Sequence, residues 1–149
     1  MQSVAWIWGL SLIALTIAIH AIGVVAMALL LVRIRGRVES RRPDLRHAVP
    51  FIVGVVASTG FFLAVMHGIE ATIWATAYLW LGALDSPLEA ILYSVDSMST
   101  RGASGLMLHP QWRMMGALES VDGMLLFGIS TAYIFSVMQS YWPMISDRD

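Results

Sequence analysis

The chain has 149 residues, 58% hydrophobic and 13% charged, with a formal net charge of -1 and a mean hydropathy of +0.72. A soluble domain carries roughly twice that charge, so composition alone points to the membrane class. There is no cysteine, and every basic side chain is an arginine. Disulfides, thiolate metal sites, cysteine nucleophiles, Schiff-base lysines and phosphate-loop lysines are therefore excluded, and no extended basic face offers itself to nucleic acid.

The first apolar run, Val4 to Val32, is interrupted only by Ser11, Thr16 and His20. It exceeds the roughly 20 residues that a helix needs to cross a bilayer. Trp6 and Trp8 stand at its start as interfacial anchors. It is expected to be retained rather than cleaved, because it has no basic n-region and no clean small-residue cleavage site. Residues 1–33 thus form an N-terminal transmembrane helix, followed over 34–49 by an arginine-rich loop. Most of the basic charge, Arg33, Arg35, Arg37, Arg41, Arg42 and Arg46, falls around that loop. The positive-inside rule places the loop in the cytoplasm and the N-terminus outside.

A second helix is expected over 50–84, opened by Pro50 in its first turn. At 1.5 Å per residue it reaches about 50 Å, so it must tilt, kink near Ser58-Thr59-Gly60 or project beyond the bilayer. Ser86-Pro87-Leu88-Glu89 then reads as an N-cap, a first-turn proline and a capping-box acid. The helix it opens, 87–98, is about 18 Å long and cannot span. A small, glycine-rich loop over 99–105 follows, and a last helix over 112–142 closes the pattern with Glu119 and Asp122 in its first half.

A half-length helix, an irregular loop and a full span form a specific combination. Lipid cannot satisfy loose backbone, so such a loop must be buried in protein or line a water-filled path. One copy cannot enclose a path, whereas a ring of copies can.

The segment Ala90-Ile91-Leu92-Tyr93-Ser94-Val95-Asp96-Ser97-Met98-Ser99-Thr100-Arg101-Gly102-Ala103-Ser104-Gly105 aligns ungapped with A-L-Y-F-S-x-V-T-x-T-T-V-G-Y-G-D. On these residues the chain resembles the two-helix potassium channels, with one extra helix in front. His67-Gly68-Ile69-Glu70 with Trp74-Ala75 resembles that family's outer helix, and Trp112-Arg113, Ala117-Leu118-Glu119 and Gly128-Ile129-Ser130-Thr131-Ala132 its inner helix. The resemblance implies an all-α membrane protein with three transmembrane helices and a re-entrant pore helix, assembled as a homotetramer in a bacterial inner membrane. It makes residues 50–143 the pore module. Thr100, Arg101, Gly102, Ala103 and Ser104 would be the filter positions. Asp96, Glu70, His67, Glu119 and Asp122 would support the filter, and Gly123 or Gly128 is a candidate gating hinge, with close helix packing as the alternative.

The filter departs from the family where ion selection occurs. Arg101 replaces an apolar residue, Ala103 the aromatic, Ser104 a glycine and Gly105 an acid. A cation about 6 Å from one arginine meets roughly 3 kcal/mol of repulsion at an effective dielectric of 20, repeated for each subunit. Strong potassium selectivity is therefore not expected; the path would conduct cations without strong preference for potassium, or pass anions because of Arg101. The companion departure, Asp96 in place of an apolar residue, suggests an Asp96–Arg101 salt bridge. The alternative is a channel fold that no longer conducts and serves as a structural or regulatory membrane subunit. No nucleophile stands beside a base, so no enzyme is expected. No cofactor is expected beyond a monovalent ion in transit, and lipid is the expected surrounding. His67 and Glu70 resemble half of a carboxylate–histidine metal motif; the second half is missing from the sequence pattern, so no metal is assigned, and His20 reads as a polar residue in a helix contact.

Overall fold

The computed structural model describes residues 2–39, 45–102 and 105–143. Among these the chain is all helical: α1 Gln2–Glu39, α2 Leu45–Trp80, α3 Pro87–Met98, a single 3-10 turn Pro110–Trp112, and α4 Arg113–Tyr141. The three long helices are each apolar enough to cross a membrane, consistent with a multi-pass membrane protein. Arg41, Arg42, Ala103 and Ser104 lie outside the described residues.

Helix α1 runs on past the expected end near Arg33 to Glu39. Arginine is a good helix former, so Arg33, Arg35 and Arg37 extend the helix beyond its apolar part. Helix α2 starts at Leu45, so Pro50 lies inside it rather than opening it. Its other end comes four residues earlier than the expected 84. Gly82, with φ +63°, adopts the left-handed conformation. The amides of Gly82 and Ala83 then close back on the carbonyls of Leu79 and Tyr78 at 3.1 and 2.8 Å. This pair of bonds is a Schellman cap, which stops a helix and satisfies its last carbonyls.

Helix α3 occupies the expected 87–98. Ser86 is its N-cap, with Oγ accepting from the Glu89 amide, and Pro87 takes the first turn. It buries Ala90, Tyr93, Ser94 and Ser97 and leaves Leu88, Leu92 and Val95 exposed on the opposite face. It is wedged between α2 and α4, while α1 packs chiefly along α4.

Two glycines of α4 seat this short helix. A Cβ on Gly116 would strike the Tyr93 hydroxyl, and one on Gly123 would fall on the Met98 backbone. Gly123 is ten residues into α4, so the C-terminal end of α3 rests about 15 Å along that helix. The chain on either side of α3 stays near the end of α2: Ser86 follows it directly, and the His109 amide donates to the Ala83 carbonyl at 3.3 Å.

Two apolar clusters form the core. One gathers Ala5, Leu12, Trp74, Tyr78, Tyr93, Leu108, Met115 and Leu118 around α3. The other, at the opposite end, gathers Leu31, Val55, Val137 and Tyr141. Between them lie buried polar side chains, among them Thr16, His20, Glu70, Asp122 and Ser130.

The two candidate hinge glycines differ in surroundings: Gly123 is pressed against Met98, whereas nothing lies within 4 Å of a Cβ on Gly128. Gly123→Ala should therefore lower the thermal midpoint of the purified protein by several degrees, since the obstruction is backbone and cannot swing aside. Gly128→Ala should leave it unchanged or raise it slightly, by the helix propensity gained of roughly 1 kcal/mol.

Candidate functional site: a buried polar belt and a capped loop

The belt follows from spacing along α2. Glu70, Trp74 and Tyr78 recur every four residues and so stack on one face of the helix. All three are fully buried against α1 and α4. Each meets a partner distant in sequence. Tyr78 donates its hydroxyl to Glu119 Oε2 at 2.7 Å. Trp74 donates its indole N–H to Asp122 Oδ2 at 2.9 Å. Thr16 Oγ1 lies 2.7 Å from the same Asp122 oxygen; its single proton goes to the carboxylate, which holds no proton of its own when ionised.

Glu70 lies at the centre of a four-membered constellation. His20 Nδ1 is 2.8 Å from Glu70 Oε1, and His67 Nδ1 is 3.3 Å from Glu70 Oε2. The other ring nitrogens, His20 Nε2 and His67 Nε2, both approach Ser130 Oγ at 3.1 Å. The two imidazole centroids are 5.3 Å apart and tilted by 42°. His20 is thus a satisfied polar residue in a helix contact, bonded to Glu70 on α2 and Ser130 on α4. It supplies the third ligand-type side chain that the local His67/Glu70 pattern lacks. His20, Ser130, Thr16, Trp74 and Tyr78 are the site members that sequence reasoning passes over. The one available signal is that His20 and Thr16 are polar interruptions four residues apart in an otherwise apolar helix.

The loop positions form a separate feature. The amides of Thr100 and Arg101 donate to the carbonyls of Ser97 and Asp96 at 2.9 and 3.0 Å. This is a second Schellman cap, at the end of α3, and its left-handed position is filled by Thr100 with φ +57°. A β-branched residue in that conformation is strained by about 1–2 kcal/mol. Gly102, at φ +79°, is also left-handed.

Arg101 Nη1 lies 3.5 Å from Asp96 Oδ1, with the Arg101 side chain 71% exposed and that of Asp96 15%. The pair thus joins two ends of the same cap, within one chain. A cation there also faces the negative end of the α3 dipole. Glu119 and Asp122 do not join Arg101: Glu119 accepts from Tyr78, and Asp122 from Thr16 and Trp74. The expected filter supports therefore divide into two groups: Asp96 with the loop, and Glu70, His67, Glu119 and Asp122 with the belt.

No family model, curated protein or solved structure matches the chain.

Tyr78→Phe removes the hydroxyl that reaches Glu119 and leaves a fully buried carboxyl oxygen without a donor. A loss of about 1–3 kcal/mol is expected in reversible denaturation. Tyr78→Phe combined with Glu119→Leu should recover much of it. Thr100→Gly should raise stability by about 1 kcal/mol, because glycine takes the left-handed cap position without strain.

Proposed function

We propose that this chain is the subunit of a pore-loop membrane protein of the potassium-channel type. Four copies form a ring in a bacterial inner membrane, with the arginine-rich segment in the cytoplasm. The carrying observation is the seat of α3. Its C-terminal end rests on Gly123, about 15 Å into α4, while Ser86 and His109 stay beside the end of α2. With α2 and α4 across a bilayer about 30 Å thick, this arrangement carries the loop after Met98 to mid-depth and back. Lipid cannot satisfy such a loop, which leaves a protein-lined or water-lined path as its environment.

Two further features support a ring. Leu88, Leu92 and Val95 form an apolar face on α3 without a partner in the single chain. Arg101 and Gly102, at two of the filter positions, are exposed. Neighbouring copies would cover both.

The same positions argue against strong potassium selectivity. Thr100 and Gly102 fit the filter pattern; Arg101 does not. Its ion pair with Asp96 lowers the repulsion felt by a passing cation, but an exposed pair is worth only about 0–1 kcal/mol and is readily broken. Weakly selective conduction of monovalent ions is the reading this favours. The cation at the end of α3 also favours the second reading, a non-conducting structural or regulatory subunit, because it opposes the helix-end field that would attract a cation.

Ion flux into liposomes holding the purified protein separates the two. Potassium and sodium gradients should both drive flux in the wild type, and Arg101→Val should alter the ratio or raise cation flux. A correctly assembled wild type without flux for potassium, sodium or chloride would remove the conducting reading. Gain of flux in Arg101→Val would then identify the arginine as a plug. A monomer by mass measurement in native lipid discs would remove the ring itself.

A further inference from the structure

We propose that His20, His67 and Glu70 form an intramembrane binding site for a divalent transition-metal ion of the zinc class, with Ser130 holding both imidazoles in register. The proposal does not depend on conduction.

The ligand atoms converge. One atom from each of the three residues lies within 4.8 Å of the other two. Nδ1 of each histidine faces a different oxygen of the Glu70 carboxylate, at 2.8 and 3.3 Å. Ligand atoms on a tetrahedral zinc with bonds of about 2.0–2.1 Å stand roughly 3.3 Å apart, so small side-chain adjustments close the set. Two histidines and a carboxylate are an established donor combination for zinc and for iron(II), and leave a position open for a water or another ligand.

The outer contacts fit as well. A histidine that binds metal through Nδ1 carries its proton on Nε2. Both Nε2 atoms here meet Ser130 Oγ at 3.1 Å, and a hydroxyl oxygen has two lone pairs to accept both N–H groups. One serine on α4 would thus orient two ligands from α1 and α2, the role that outer hydrogen bonds play around metal-bound histidine.

Two independent observations point to a cation. First, Glu70 Oε2 is fully buried and has no hydrogen-bond partner, although His67 Nδ1 is only 3.3 Å away. The two atoms are in ion-pair contact without the geometry of a hydrogen bond. Second, three acids, Glu70, Glu119 and Asp122, are buried, and no arginine is buried among the described residues. Asp122 is bonded to Thr16 and Trp74, one helical turn from His20 and from Glu70 respectively, and its Oδ1 has no partner. A divalent ion between the histidines would balance Glu70 and Asp122 together. Protonating both histidines would do so only by placing two like charges on rings 5.3 Å apart.

Access is provided by His67, the one ligand that is not fully buried. Its side chain borders a cavity of about 360 Å³ that is also lined by Val95, Met98, Ser99 and Gly123. The cavity therefore leads from the site to the C-terminal end of α3.

The test is a cobalt(II) titration of the full chain in detergent after metal depletion. Bound metal is measured by elemental analysis, the cobalt absorption bands are recorded, and the thermal midpoint is followed. One cobalt per chain is expected, with a raised midpoint and displacement by zinc. His20→Ala and Glu70→Gln should abolish binding, and Ser130→Ala should weaken it about tenfold or more. His47→Ala and His109→Ala, which change the two histidines outside the belt, should bind as the wild type does. Should the belt variants fail to fold, X-ray absorption of the cobalt-loaded wild type decides: two imidazole nitrogens with carboxylate oxygen support the site. Absence of stoichiometric binding by wild type overturns the proposal, as does binding that disappears with His47 or His109 or a spectrum lacking imidazole. In the first of these outcomes the belt is held by protons alone.

Discussion

Three carboxylates buried in an apolar bundle govern the arrangement of everything around them. Glu70, Asp122 and Glu119 are fully buried, and a charge or polar group removed from water is costly unless it finds partners. The partners come from other helices: His20 and Thr16 from α1, and Trp74 and Tyr78 from α2, with Ser130 on α4 holding His20 in turn. Apolar contacts alone tolerate many rotations of one helix against another. Hydrogen bonds of 2.7 to 2.9 Å to Glu119, Asp122 and Glu70 do not. The belt thus fixes the register between the helices, whatever its net contribution to stability.

The short helix α3 is fixed by a different set of devices, nearly all local. Ser86 and Pro87 start it, Gly116 and Gly123 open room for it on α4, and the cap at Thr100 and Arg101 ends it. Thr100 holds a conformation that glycine would take more easily. The cap therefore stores backbone strain.

Much of this was legible in the sequence, and the reason is distance along the chain. The three long helices follow from uninterrupted apolar runs, and the 87–98 helix from a cap, a proline and an acid in four consecutive residues. The pairing of Asp96 with Arg101 is also local, five residues apart. Helix ends were less legible. Gly82 ends α2 through a left-handed turn that an apolar run up to Leu84 conceals, and the arginines extend α1 because helix formation does not require apolar side chains. The belt was the least legible part. His20 and Glu70 are separated by 50 residues and His20 and Ser130 by 110, and no periodicity in either helix records which face meets which. His67 and Glu70 were visible because one helical turn joins them; His20, which bonds to the same carboxylate, lies on another helix.

The placement of the belt between two apolar clusters has a mechanical consequence. Directional bonds tie the half of the bundle that carries α3, from His20 and Ser130 to Tyr78 and Glu119. The half that carries the arginines is joined by the apolar cluster of Leu31, Val55 and Val137 and by the bond from the Tyr141 hydroxyl to the Leu31 carbonyl. The two halves therefore differ in stiffness: hydrogen bonds hold helix register near α3, whereas apolar surfaces near the arginines lose little when they slide.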